Sequence, residues 1–341
     1  MEVALTTNHN RGQDAAIKPH SIPFQPKKRS APPNLAPKRR EFFLAETIRQ
    51  GPSPSSPLTT EPSSPSEAHR LALAAAFFDH PSRFLYSAAE SLRHHVKNEH
   101  VPEILILGAS NVGKSSFLNA LVGKPDAARV SARPGKTTLM NAFGVGPPAK
   151  LARGLIPPGE KMPAHSLVVL DTPGYGFKSQ ASWGEAVVRY MGARKALRGA
   201  VLLLSSEKRI SELDRWLLRA LCESNTPTTV VLTKADKGGP SWRKTCGDMA
   251  NSVRSEMAKI ERTLGDRKWR EGAGWNPLVY VTAAGLDKVP KLGNGGGVGG
   301  VRAAILEMAG FGLDEDEVKM KDEAMAYTGD VVSFDDIKWK T

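Results

Sequence analysis

The chain has 341 residues, 40% of them apolar, only 6% aromatic, and a formal net charge of +12. That is enough to bury a sizeable core, in more than one ordinary domain's length and less than three. No apolar run reaches the roughly 18 residues of a membrane-crossing helix, so no stable membrane insertion is expected. The first twenty residues lack the apolar core of a secretory signal, and two cysteines, Cys222 and Cys246, make no disulfide framework. The positive charge favours polyanionic partners such as RNA or an anionic membrane surface; the plainer reading is a basic targeting tail with ordinary surface lysines.

Residues 1–68 hold 11 of the 25 prolines and the basic runs KKR and KRR. Such a segment buries too little apolar surface to offset its ordering entropy and reads as a disordered extension. Lys and Arg outnumber acids nine to four over residues 1–50, which suits a mitochondrial presequence, although Glu2 and Asp14 do not. The same basic runs suit a nuclear signal or an RNA-binding arm. From residue 69 the pattern turns helical, as HRLALAAAFFDH and then PSRFLYSAAESLRHHV.

Short apolar runs follow at EILILG, SLVVLD, AVLLLS, TVVLT and LVYVT, separated by helical stretches. Strands apolar on both faces and alternating with helices predict a mostly parallel sheet covered on both sides. A sixth strand, LMNAFGV, is expected antiparallel at one edge. A last helix, GVRAAILEMAG, is expected after the glycine run GNGGGVGG. The domain is bounded at residues 69–312, and residues 313–341 read as an acidic peripheral tail.

Between the first strand and its helix lies G-x-x-x-x-G-K-S, formed by Gly108, Gly113, Lys114 and Ser115. Glycines let backbone N–H groups wrap a phosphate, and the helix N-terminus that follows favours negative charge. The loop Gly108, Ala109, Ser110, Asn111, Val112, Gly113, Lys114, Ser115 and Ser116 is the expected phosphate cradle. In it Lys114 reaches the β- and γ-phosphates and the Ser115 hydroxyl ligates Mg²⁺. Asp171, Thr172, Pro173 and Gly174 form DTPG at the next strand end. There the carboxylate is an outer-sphere Mg²⁺ partner and the Gly174 N–H meets the γ-phosphate, as an order–disorder switch. Thr233, Lys234, Ala235 and Asp236 form TKAD. The aspartate accepts from the guanine N1–H and 2-amino group, a donor pair that adenine lacks, while Lys234 lies along the base. The fold class is therefore α/β, a P-loop NTPase G domain with a six-stranded sheet and helices on both faces.

ASNVGKSSFLNAL, ARPGKTTLMNAF, DTPGYGF and VVLTKADK, in this order, resemble the EngB (YihA) type of ribosome-biogenesis GTPase, within the translation-factor-related GTPases. The resemblance spans roughly residues 100–285. It implies that Gly135, Lys136 and Thr137 belong to the first switch, with Thr137 a second Mg²⁺ ligand and Thr138 its alternate. It implies that Thr282, Ala283 and Ala284 offer backbone amides to the guanine oxygen. It places Tyr175 where many small GTPases carry a catalytic glutamine, so intrinsic hydrolysis is expected to be slow. It gives Asn111 the place of a K⁺ ligand, the alternative being a plain turn residue. Lys114, Thr137, Gly174 and Asn111 are the expected catalytic set. The implied function is Mg²⁺-dependent hydrolysis of GTP to GDP as a switch in ribosomal-subunit assembly, with the subunit or its rRNA as partner. A mitochondrial place is expected, against cytoplasmic or nuclear alternatives, since the extension and basicity resemble a fungal-type organellar version. The alternative function is a GTP-dependent binding switch with negligible turnover, in signalling or at a membrane. Two departures from the family pattern are SSEKR (Ser205 to Arg209) after AVLLL and the proline-rich insertion at residues 146–165.

Overall fold

The computed structural model describes residues 65–88, 92–128, 139–151, 155–156, 158–159, 161–176, 181–265, 268–283 and 294–313. The expectations for residues 1–64 and for the acidic tail from residue 314 lie outside them. Six α-helices are described: α1 (Pro65–Phe78), α2 (Lys114–Leu121), α3 (Ala181–Ala193), α4 (Glu212–Glu223), α5 (Trp242–Leu264) and α6 (Asn294–Ala309). They accompany seven strands: β1 (Arg83–Ala88), β2 (Glu103–Gly108), β3 (Met140–Val145), β4 (Leu167–Asp171), β5 (Leu197–Ser205), β6 (Thr228–Thr233) and β7 (Trp275–Val281).

The strands form one sheet in the order β1-β3-β4-β2-β5-β6-β7. From β4 to β7 every pairing is parallel, whereas β3 runs antiparallel to both β4 and β1. The expected mostly parallel sheet with covered faces is thus present, with seven strands in place of six. The extra strand is β1, in a stretch read above as helical. Half of its residues are exposed and it pairs along one side only, so it lacks the apolar run that marks the inner strands. It also displaces β3 from the edge. Helix α1 begins at Pro65, four residues ahead of the expected boundary at 69. Helix α6 begins inside the glycine run. A Cβ on Gly297 would sit 2.2 Å from the Val281 carbonyl, so the run lets the helix start press against the end of β7.

Alternation along the inner strands sorts side chains into two cores. Ile104 and Ile106 of β2 and Val201 and Leu203 of β5 join Phe78, Phe117, Leu118, Val301 and Ile305 beneath α1, α2 and α6. Leu105, Leu107, Leu202 and Leu204 face Tyr190, Leu217, Leu221 and Val253 beneath α3, α4 and α5. Arg302 of α6 donates to the Leu121 and Ala120 carbonyls at 2.9 and 3.1 Å, satisfying the C-terminus of α2.

At the N-terminal end of β2 a fully buried carboxylate ties three elements together. Glu103 Oε1 accepts from Arg194 Nη2 at 2.7 Å and Asn98 Nδ2 at 2.8 Å. Its Oε2 accepts from Tyr190 Oη at 2.7 Å and Arg194 Nε at 2.8 Å. Replacing Glu103 by alanine strands a buried guanidinium and is expected to cost about 3–5 kcal/mol of unfolding free energy. Urea denaturation measures this, and an unchanged midpoint would show that the cluster contributes nothing.

Candidate functional site

The loop after β2 leaves the sheet where the chain reverses its direction of growth: β4 lies on one side of β2 and β5 on the other. In open α/β sheets ligands bind outside the carboxyl ends of the strands at such a point. The loop is tightly wound. Asn111 holds a left-handed φ of 59° and Gly113, at the N-cap of α2, one of 105°. Phe117 N donates to Gly113 O at 2.8 Å and opens the helix.

Lys114 is almost wholly buried, and its ammonium folds back to donate to the Gly108 and Ala109 carbonyls at 2.9 and 3.0 Å. Burial pushes this group down to about 8, opposed by the nearby Asp171 carboxylate. Burial likewise pushes Asp171 up to about 6, opposed by Lys114. Among the described residues Asp171 Oδ1 has no hydrogen-bond partner. A buried, unpaired carboxylate oxygen is costly unless a donor or cation completes it. A hard oxygen donor beside the first turn of α2 suits a hydrated divalent cation.

The DTPG segment is zipped to this loop. Thr172 donates to Ile106 O through its N–H (3.3 Å) and its hydroxyl (2.8 Å). Ser110 Oγ donates to Gly174 O at 3.0 Å, and Ser110 N to Tyr175 O at 2.8 Å. No side chain fits at Gly174, because a Cβ there would lie 2.6 Å from Ser110 Cα and 2.8 Å from Lys114 Nζ. The structure therefore brings Gly108 to Ser116 and Asp171 to Gly174 together. Gly135, Lys136, Thr137 and the alternate Thr138 lie outside the described residues, as does Ala284.

The TKAD and VTAA segments meet beside it. Ala235 N donates to Thr282 O at 3.3 Å, and Thr233 Oγ1 donates to Val112 O at 2.7 Å, fastening β6 to the phosphate loop. Lys234 has a left-handed φ of 61°, and its ammonium lies 3.7 Å from Glu207 Oε2. Asp236 is half-buried at the start of the short helix Ala235–Ser241. Thr282 departs from the expectation: its N–H is taken by Leu232 O at 2.7 Å, so a sheet bond occupies the amide meant for a base. That leaves Ala283 as the described residue of this segment for such a contact.

Tyr175 turns its side chain away from the loop. The ring is buried against Trp183, with centroids 5.4 Å apart, and its hydroxyl donates to Asp214 Oδ1 of α4. Neither Asp214 nor Trp183 was marked by sequence, since nothing in a strand-end motif names the helix it will lean on. Glu207 was visible only as part of SSEKR, a departure without an assigned task.

The family model described as "50S ribosome-binding GTPase" matches residues 103–234. A probable GTP-binding protein EngB of Chlorobium luteolum is 37% identical over 145 residues, 41% of this chain and 61% of that protein. A namesake from Desulfosudis oleivorans is 37% identical over 154 residues, 43% of this chain and 66% of its own length. One from Streptococcus equi subsp. equi is 34% identical over 163 residues, 46% of this chain and 72% of that protein. The chain thus spans less than two thirds of the Chlorobium and Desulfosudis proteins. A crystal structure of a probable GTP-binding protein engB aligns at 18% identity and a TM-score of 0.37, covering 61% of this chain and 98% of that one.

Proposed function

Because this chain belongs to the EngB family of GTP-binding proteins, we propose that it hydrolyses GTP to GDP as a switch in the assembly of a ribosomal subunit. The observation carrying the hydrolytic reading is the buried Lys114 and Asp171 beneath the glycine-wound loop, with one Asp171 oxygen left without a donor among the described residues. Lys114 gives up the Gly108 and Ala109 carbonyls for phosphate oxygens of the same polarity and greater charge. The peptide at Gly174, pressed against Ser110, follows the γ-phosphate and is released when that group leaves. Asp236 reads the guanine edge, and Lys234, steadied by Glu207, covers its face. Ser115 and Thr137, with Asp171 through water, would hold Mg²⁺, which neutralises charge on the leaving phosphates. Asn111, exposed at its left-handed turn, is the candidate to hold K⁺ there.

A subunit or its rRNA as partner is supported by the +12 charge and by the description of the matching family model. No described helix is long and apolar enough to cross a membrane. A mitochondrial location rests on the basic character of residues 1–50.

One observation favours the alternative of a switch with negligible turnover: the Tyr175 phenol points into α4, leaving its position no side chain to orient water. GTP turnover by the full chain in KCl and NaCl, with and without ribosomal subunits, separates the two. Turnover raised by K⁺ and by one subunit upholds the assembly GTPase. Tight GTP binding without turnover in every condition favours the passive switch.

A further inference from the structure

We infer that Tyr175 and Asp214 form a latch that positions the Gly174 peptide for the γ-phosphate, which makes Asp214 a positioning residue for GTP hydrolysis. The inference rests on the proposed GTPase function and assigns that site a regulator on a different helix.

Three contacts fix Tyr175. Its carbonyl accepts from Ser110 N at 2.8 Å, its ring packs on Trp183, and its hydroxyl donates to Asp214 Oδ1. Trp183 adds a fourth tie one residue upstream of Gly174, since its Nε1 donates to Pro173 O at 3.1 Å. Gly174 is thereby held between two anchored neighbours, directly over Ser110 and Lys114.

The Asp214 carboxylate serves two elements at once. Oδ2 accepts from Ser211 N and Ser211 Oγ, both at 2.7 Å, while Asp214 N donates to Ser211 Oγ at 3.2 Å, closing a capping box on α4. Oδ1 faces the other way, to the phenol. A cap needs only one of the two oxygens, so the second is not explained by the helix. Asp214 and Tyr175 are both buried, and a charged acceptor in such a place makes a strong, directional bond. Release of the Gly174 peptide after hydrolysis pulls on Tyr175 and so on the first turn of α4. Leu213 and Trp216 of that helix stand exposed, and Trp216 lies 6.5 Å from Trp183, ring to ring. The nucleotide state therefore has a short route of packed groups to the surface.

The test measures GTP and GDP affinities, GTP turnover and thermal midpoints for the full chain and four variants. Tyr175→Phe keeps the ring and deletes only the bond. It is expected to leave GDP affinity unchanged and to lower the midpoint modestly, through the stranded Asp214 oxygen, while turnover and the preference for a non-hydrolysable GTP analogue fall about tenfold. Asp214→Asn is expected to fall in the same direction, and the double variant no further than Tyr175→Phe, because the two residues act through one bond. Ser211→Ala, which opens the cap and spares the latch, is expected to lower the midpoint and leave the GTP-to-GDP ratio alone. An unchanged ratio and turnover in Tyr175→Phe, with wild type active, overturns the latch alone. A wild-type chain that binds no GTP overturns both the latch and the function it rests on.

Discussion

Lys114→Ala is expected to lower GTP affinity at least about a hundredfold, the scale of losing a buried, hydrogen-bonded charge partner. The ammonium is the cation beneath the loop, and it has already exchanged water for the Gly108 and Ala109 carbonyls. Burial disfavours the charged form, so holding the ammonium there costs the fold something. Arriving phosphates repay that cost with full negative charge at the same place. Alanine is a good first residue for a helix, so α2 should form without it. The variant should therefore keep its fold, by circular dichroism and thermal midpoint, and lose the ligand in calorimetric titration. Retained micromolar affinity in a folded variant would remove Lys114 from the phosphate site.

The second large effect concerns the base. Asp236→Asn replaces two acceptor oxygens by one acceptor and one donor. Guanine then meets a donor with its own N–H, while xanthine offers a carbonyl where guanine carries the 2-amino group. GTP affinity is expected to fall, and preference to invert towards xanthosine triphosphate, by about a hundredfold or more in the ratio. Competition between the two nucleotides for the variant reads this ratio directly. Unchanged selectivity would mean that the guanine edge is recognised elsewhere, with Ala283 the next residue to examine.

These sites were legible in sequence because backbone dominates them. A strand apolar on both faces, a glycine-wound loop and a helix start are local features, so the cradle at Gly108 to Ser115 could be placed before any contact was known. TKAD was legible for a different reason: its position one strand and one helix after DTPG gave a weak tetrapeptide meaning. What stayed hidden depends on partners far apart in the chain. Arg83 to Ala88 carries no inner-strand pattern, and its strand state comes from β3, more than fifty residues later. The direction of the Tyr175 ring is set by Trp183 and Asp214, so its place in a motif told the path of the main chain and nothing of the phenol. Thr282 resembled an amide donor until the sheet claimed its N–H. Gly297 belongs to a run expected to precede the last helix, and only the nearness of Val281 shows why the helix needs glycine there.

The hydrogen bond from Thr233 to Val112 has a thermodynamic consequence. It ties the strand that leads to Asp236 to the loop around Lys114, and Ala235 N bonds Thr282 O beside it. Coupling of this kind is reciprocal: whatever a seated guanine does for the affinity of the phosphates, seated phosphates do equally for guanine. GTP is then expected to bind more tightly than its halves would in sum, and comparing guanosine and pyrophosphate, each with and without the other, reads the excess. Equal affinities in all four cases would leave the two ends independent. The selectivity of the protein for its nucleotide would otherwise belong to neither end, since a wrong base at Asp236 also loosens the grip on the phosphates.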